Sequence, residues 1–81
     1  MSEMREAELQ NAIEEFSIAI ELMPSFSLAY HNRSIAHKLT GDFEKSISDL
    51  DKAISLNSEY AVFYFSKGLL FQKLNMTEEA V

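Results

Sequence analysis

The 81-residue sequence predicts an all-α fold, an antiparallel stack of helix hairpins, on three observations. Two Gly and one Pro are the only strong breakers in the chain. Apolar residues recur at spacings of three and four, the signature of helices with one buried face. The sequence also matches itself at an offset of 34 residues, which marks a repeated structural unit.

Each element follows from its own residues. In the first segment Leu9, Ile13, Phe16, Ile20 and Met23 form one apolar face with Ala12 and Ala19 beside them, Ser2 can cap its start, and Pro24 forbids continuation. A second helix over 27–40 is closed by Gly41, which can take the left-handed conformation, while Asp42 is placed to cap the next. The third helix buries Phe43, Ile47, Leu50, Ala53, Ile54 and Leu56, and Asn57-Ser58 ends it. A fourth is expected from about Tyr60 to Leu74. Asn75 is expected to repeat the role of Gly41, and Thr77-Glu78-Glu79 to open a fifth helix that reaches Val81 after one turn.

The self-match keeps several kinds of residue in phase. Ile13, Ala19, Ile20 and Leu22 fall on Ile47, Ala53, Ile54 and Leu56, with Leu9/Phe43, Glu15/Asp49, Phe16/Leu50 and Phe26/Tyr60 as conservative pairs. Tyr30 falls on Tyr64, Arg33 on Lys67, Ser34 on Gly68, Ile35 on Leu69 and Glu44 on Glu78. Small residues recur where two helices approach too closely for a longer side chain: Ala12, Ser34, Ser46, Ala53 and Gly68.

Composition excludes several functions. With 47% apolar residues and a net charge of −6, the chain is one small globular domain and not an acidic tail. The absence of Cys removes disulfides, thiolate metal sites and thiol nucleophiles, and suggests a reducing, cytoplasmic setting. Seven Lys plus Arg without clustering make a nucleic-acid surface unexpected. The longest uncharged stretch, Tyr60 to Ser66, is far below the roughly 20 residues a membrane span needs, and Met1 to Glu8 is acidic where a signal peptide would be basic. His31 and His37 lie six apart on opposed helix faces, which does not suit a shared metal. No nucleophile elbow, phosphate loop or paired-carboxylate context occurs, so neither catalysis nor a cofactor is expected. Asn32-Arg33-Ser34 and Asn75-Met76-Thr77 fit the glycosylation acceptor pattern but are expected to stay unmodified without a secretory signal.

A 34-residue period with two helices per unit resembles the tetratricopeptide repeat (TPR) family, whose pattern is an aromatic, Leu-Gly, Tyr, Ala-x3-Phe and a terminal Pro. Ala12-x3-Phe16 with Pro24 fits the first unit, Tyr30 and Ala53 the second, and Tyr64, Gly68-x2-Phe71 and Ala80 the third. The middle unit departs from it, with Arg33-Ser34 for Leu-Gly, His37 for Tyr, Ser46 for the first Ala and Ser58 for Pro. The resemblance implies an α-solenoid fragment of about two and a third repeats: 1–26 the second helix of a partial repeat, 27–60 a complete one, and 61–81 a first helix with a truncated second.

The resemblance further implies a binding module with a concave groove for a peptide or helix of a partner protein. Carried over by position, the groove residues are Leu28, His31, Asn32, Ile35 and Lys38 from the second helix and Val62, Phe65, Ser66, Leu69, Gln72 and Lys73 from the fourth. The family's carboxylate clamp for chaperone tails is not expected, because Asn32 fits its slot but Val62 and Ser66 occupy those of the basic pair. Between 27 and 40 the charged residues are Arg33 and Lys38, and between 61 and 74 they are Lys67 and Lys73, whereas the other helices are rich in acids. A locally basic groove for an acidic or carboxylate-ended peptide is therefore expected, with an apolar anchor near Phe65. The alternative is a small self-associating protein: a one-turn fifth helix cannot cover the fourth, which would leave Phe63, Leu70, Phe71 and Leu74 for a second copy, unless the chain is cut from a longer array.

Overall fold

The computed structural model describes residues 2–79, with side chains from Arg5 to Asn75. Four helices follow one another: α1 (Ser2–Leu22), α2 (Ser27–Thr40), α3 (Phe43–Leu56) and α4 (Ala61–Glu79). Each packs against its neighbours in sequence, α1 on α2, α2 on α3 and α3 on α4, which gives a slab of 38 × 30 × 16 Å. No strand occurs among the described residues.

The turns carry the 34-residue register in their hydrogen bonds. Between α1 and α2 the amides of Met23, Phe26 and Ala29 donate to the carbonyls of Ala19, Met23 and Phe26. Between α3 and α4 the amides of Asn57, Tyr60 and Phe63 donate to Ala53, Asn57 and Tyr60, the same three bonds one repeat later. The second turn forms without Pro, since Ser58 stands opposite Pro24; instead its carbonyl accepts from Tyr64 Oη at 2.9 Å.

The α2–α3 turn is tighter. Gly41 sits at φ 88°, its amide donates to Lys38 and the Asp42 amide to His37, so the last carbonyls of α2 are satisfied by the two residues that leave it. Asp42 then caps α3 by accepting from the Lys45 amide at 3.3 Å.

The core lies where α2, α3 and α4 meet. Leu50, Ala53, Phe63 and Leu70 are buried together, with Tyr30, Phe43, Ile47 and Ile54 packed around them. The edge of Tyr60 meets Phe63 at 4.8 Å between ring centroids. α1 supplies only half-buried residues, Leu9, Ile13, Phe16 and Ile20, because it has a partner on one side alone.

Two sequence expectations change. Asn75 does not end a helix: no non-Gly residue among those described has positive φ, and α4 runs on through Thr77 to Glu79. Asn accepts helical geometry at modest cost, so without the freedom of Gly it is a weak stop. Ala80 and Val81, with the Ser2 side chain, lie outside the described residues. The second change concerns Phe63 and Leu70, which are core residues at 0% and 1% exposure and not an uncovered face. They point toward α3, while the face of α4 that stays open carries Tyr64 and Phe71, at 49% and 40%.

Gly41 tests the hairpin. A Cβ there would meet nothing within 4 Å, so Gly41→Ala carries only the left-handed backbone strain, about 1 to 2 kcal/mol. Urea unfolding should show that loss with an unchanged m-value.

Candidate functional site

Small side chains decide how close α2 and α3 come. Ser34 Oγ donates to the Ser46 carbonyl at 2.7 Å, Ser46 Oγ donates to the Ser34 carbonyl at 2.8 Å, and the two hydroxyls lie 2.9 Å apart. Both residues are fully buried. Buried hydroxyls are costly unless bonded, so each Ser is tolerated by virtue of the other.

Beside this contact lies an ion pair. Arg33 grips Asp49 with two bonds of 2.7 Å, Nε to Oδ2 and Nη2 to Oδ1, while Nη1 donates to Ser17 Oγ of α1 at 3.0 Å. Ser17 in turn donates to the Ile13 carbonyl. The guanidinium also stacks over Tyr30 at 5.7 Å. Its hydrogen bonds to Asp49 raise the Arg33 pKa against the opposing effect of burial. His37 completes the cluster, with Nε2 3.6 Å from Asp49 Oδ2. Ser17, Arg33, His37 and Asp49 line a hollow of about 380 Å³ between α1, α2 and α3, together with Ile13, Lys45 and Ser48.

The opposite side of α2 faces α4 and forms the candidate groove. Ile35, Lys38, Phe65, Ser66 and Leu69 line a cleft of about 230 Å³ floored by Leu50 and Leu70. Phe65, which the sequence suggested as an apolar anchor, is 69% exposed. Lys38 and Lys73 border a second hollow of about 480 Å³ with Leu39 and Phe43. Leu28, Asn32, Val62 and Gln72 are exposed on the same two helices but do not line the cleft.

Three assignments shift. His31 is buried, not an open groove contact: its ring lies 5.0 Å from that of Phe63 and Nε2 is 2.8 Å from Ser66 Oγ, so it fastens α2 to α4. Ser66 is thereby engaged as well. Arg33 belongs to the α1–α3 side, and Lys67 Nζ binds Asp51 of α3 at 2.8 Å, whereas Lys38 lines the cleft and Lys73 borders the neighbouring hollow. The Arg33–Asp49 lock and the Ser34–Ser46 pair were not identified from sequence. Their signal was present, because Arg33, Ser34, His37 and Ser46 are four of the middle unit's five departures from the repeat pattern and meet here, while the fifth, Ser58, lies in the α3–α4 turn. Among the described residues no cluster of three or more His, Asp or Glu side chains is placed to hold a metal ion. Among the same residues no helix is long and apolar enough to cross a membrane.

Hairpins in a fixed 34-residue register, with paired first helices forming an open cleft, define a helical-repeat scaffold. The chain belongs to the tetratricopeptide-repeat family, whose model matches residues 28–60. It is 31% identical over 84 residues to tetratricopeptide repeat protein 36 of Danio rerio, covering 99% of this chain and 45% of that one. The Mus musculus protein of the same name is 40% identical over 50 residues, 62% of this chain and 27% of the relative. Serine/threonine-protein phosphatase 5 of Homo sapiens is 38% identical over 58 residues, 72% of this chain and 12% of the phosphatase. The chain thus spans about a quarter of the length of the mouse relative.

The packing sets two measurable costs. Ser34→Ala should cost about 1 kcal/mol for the lost bond, and Ser34→Leu about 1 to 3 kcal/mol more for the forced separation of the helices, read from urea midpoints. Burial holds the pKa of both His31 and His37 below the ordinary 6.5; Lys38 adds to the effect at His31, and at His37 the attraction of Asp49 offsets only part of it. The unfolded chain therefore binds protons more readily, so this contribution to stability is complete above 6.5 and is lost as pH falls below it. Between about pH 7.5 and pH 5.5 the urea midpoint should drop by more than it does in a His31→Asn/His37→Phe variant. Proton linkage caps the loss at about 1.4 kcal/mol per ring for each pH unit.

Proposed function

We propose that the chain is a non-catalytic binding module whose α2–α4 cleft holds an extended acidic segment of a partner protein. Proteins of this family mediate protein–protein interactions. The observation that carries the finer reading is an exposed Phe65 beside Ile35 and Leu69, with Lys38 at the same cleft and Lys73 at its end. No acid occurs in α2 or in α4 before Glu78, so an anionic peptide meets no like charge along either wall. The apolar cleft would take one Leu- or Phe-sized side chain, and the Lys pair would set orientation and speed encounter. The Cys-free sequence fits a reducing, cytoplasmic setting for this role.

The test is fluorescence anisotropy against a peptide library in which Asp and Glu flank a single Leu or Phe, with Asn and Gln counterparts as controls. Acidic peptides should bind, and binding should weaken with salt. Phe65→Ala should lower affinity about tenfold, equivalent to about 1.4 kcal/mol, and Lys38→Glu/Lys73→Glu should abolish the preference for acids with helicity unchanged. Equal binding of neutral and acidic peptides would remove the charge component of the reading.

A further inference from the structure

The hollow walled by α1, α2 and α3 lies on the side of α2 away from the cleft, and its charges are unevenly matched. Arg33 and Lys45 face it, while among the described residues that line it Asp49 is the one acid. Arg33 spends three N–H bonds on Asp49 and Ser17, which leaves a hydrogen on each Nη, and its side chain stays 22% exposed. Lys45 Nζ has Asp42 Oδ2 at 3.7 Å, beyond hydrogen-bond length, and its side chain is 70% exposed.

The repeat register explains the imbalance. One unit later, Lys67 of α4 finds Asp51 on the preceding helix at 2.8 Å. Lys67 corresponds to Arg33 and Asp51 to Ser17, so the α1 wall offers a hydroxyl where the next unit offers a carboxylate. His37 corresponds to Phe71 and brings a polar ring to the same place. That side chain is only 12% exposed, yet its Nε2 is 3.6 Å from Asp49 Oδ2, too far for a hydrogen bond. A polar ring so enclosed is costly without a partner.

We propose that this hollow binds a phosphate monoester. Arg33 and Asp49 cancel, so the lining keeps the positive charge of Lys45, which the monoanion of such an ester matches. The bare oxygens of the ester accept from the spare Nη hydrogens of Arg33, from Lys45 Nζ and from the exposed hydroxyl of Ser48. Its remaining P–O–H donates to Asp49, whose lone pairs outnumber the two bonds from Arg33. His37 gains the polar neighbour that the fold withholds. A carboxylate or a sulfate ion has no proton to give Asp49, so that acid selects against both. At about 380 Å³ the hollow exceeds a bare ion and leaves room for the group esterified to it. The α2–α4 cleft stays empty, and the two sites are independent.

The test is a titration at about pH 6, near the second pKa of a phosphate monoester, followed by NMR of N–H groups. O-phosphoserine should shift the Arg33 Nε–H and Ser48 amide signals saturably, whereas serine and sulfate should leave them in place. Lys45→Gln should weaken binding roughly fivefold. Ser48→Asp, at an exposed position, puts a carboxylate into the hollow and should abolish binding with circular dichroism unchanged. Phe65→Ala, in the cleft, should change nothing. A phosphoserine peptide that binds more tightly than the free amino acid assigns the ester to partner proteins, and equal affinity assigns it to small phosphate esters; either supports the site. No saturable shift through the millimolar range, sulfate as tight as phosphoserine, or full binding by the Ser48→Asp chain would each overturn it.

Discussion

The contact between α2 and α3 governs the rest of the structure. Two helices can approach closely only where their side chains are small, and Ser34 and Ser46 are small but polar. Burial obliges them to bond, and their bonds to each other's carbonyls fix the helices in register as well as in distance. That register sets where Asp49 stands relative to Arg33, and thereby where α1 is held through Ser17. On the other side it places Leu50 and Ala53 to receive Phe63 and Leu70 from α4.

Arg33 illustrates how one side chain serves several elements. Its planar fork satisfies both oxygens of Asp49 while the remaining nitrogen reaches α1. A Lys at the same place would supply charge without the fork, and Lys67, its counterpart, does bind a single carboxylate oxygen. The arrangement turns Arg33 away from the cleft, so of the two cations in α2 only Lys38 lines it.

The first three helices with the turns between them and the repeat length were legible in the sequence because each depends on local chemistry: Pro24 and Gly41 break helices, Asp42 caps one, and apolar spacing marks the buried stripes. Phe65 could also be recognised as an outward aromatic, since its neighbours Phe63 and Tyr64 differ from it by the helical angle. What could not be read were the facts that depend on distance between helices. Burial of His31 against Phe63 and the pairing of Arg33 with Asp49 join residues 32 and 16 positions apart in sequence. The stop expected at Asn75 failed for a related reason, because Asn permits a turn without requiring one.

Because every helix leans chiefly on its sequence neighbours, the architecture behaves as a line and not as a globe. Chain closure over long loops is avoided, and assembly can proceed by zippering outward from the central hairpin. A lesion at one extremity is accordingly insulated from the other: fraying of α4 erodes one wall of the cleft while leaving the Arg33 bond to Ser17 of α1 untouched.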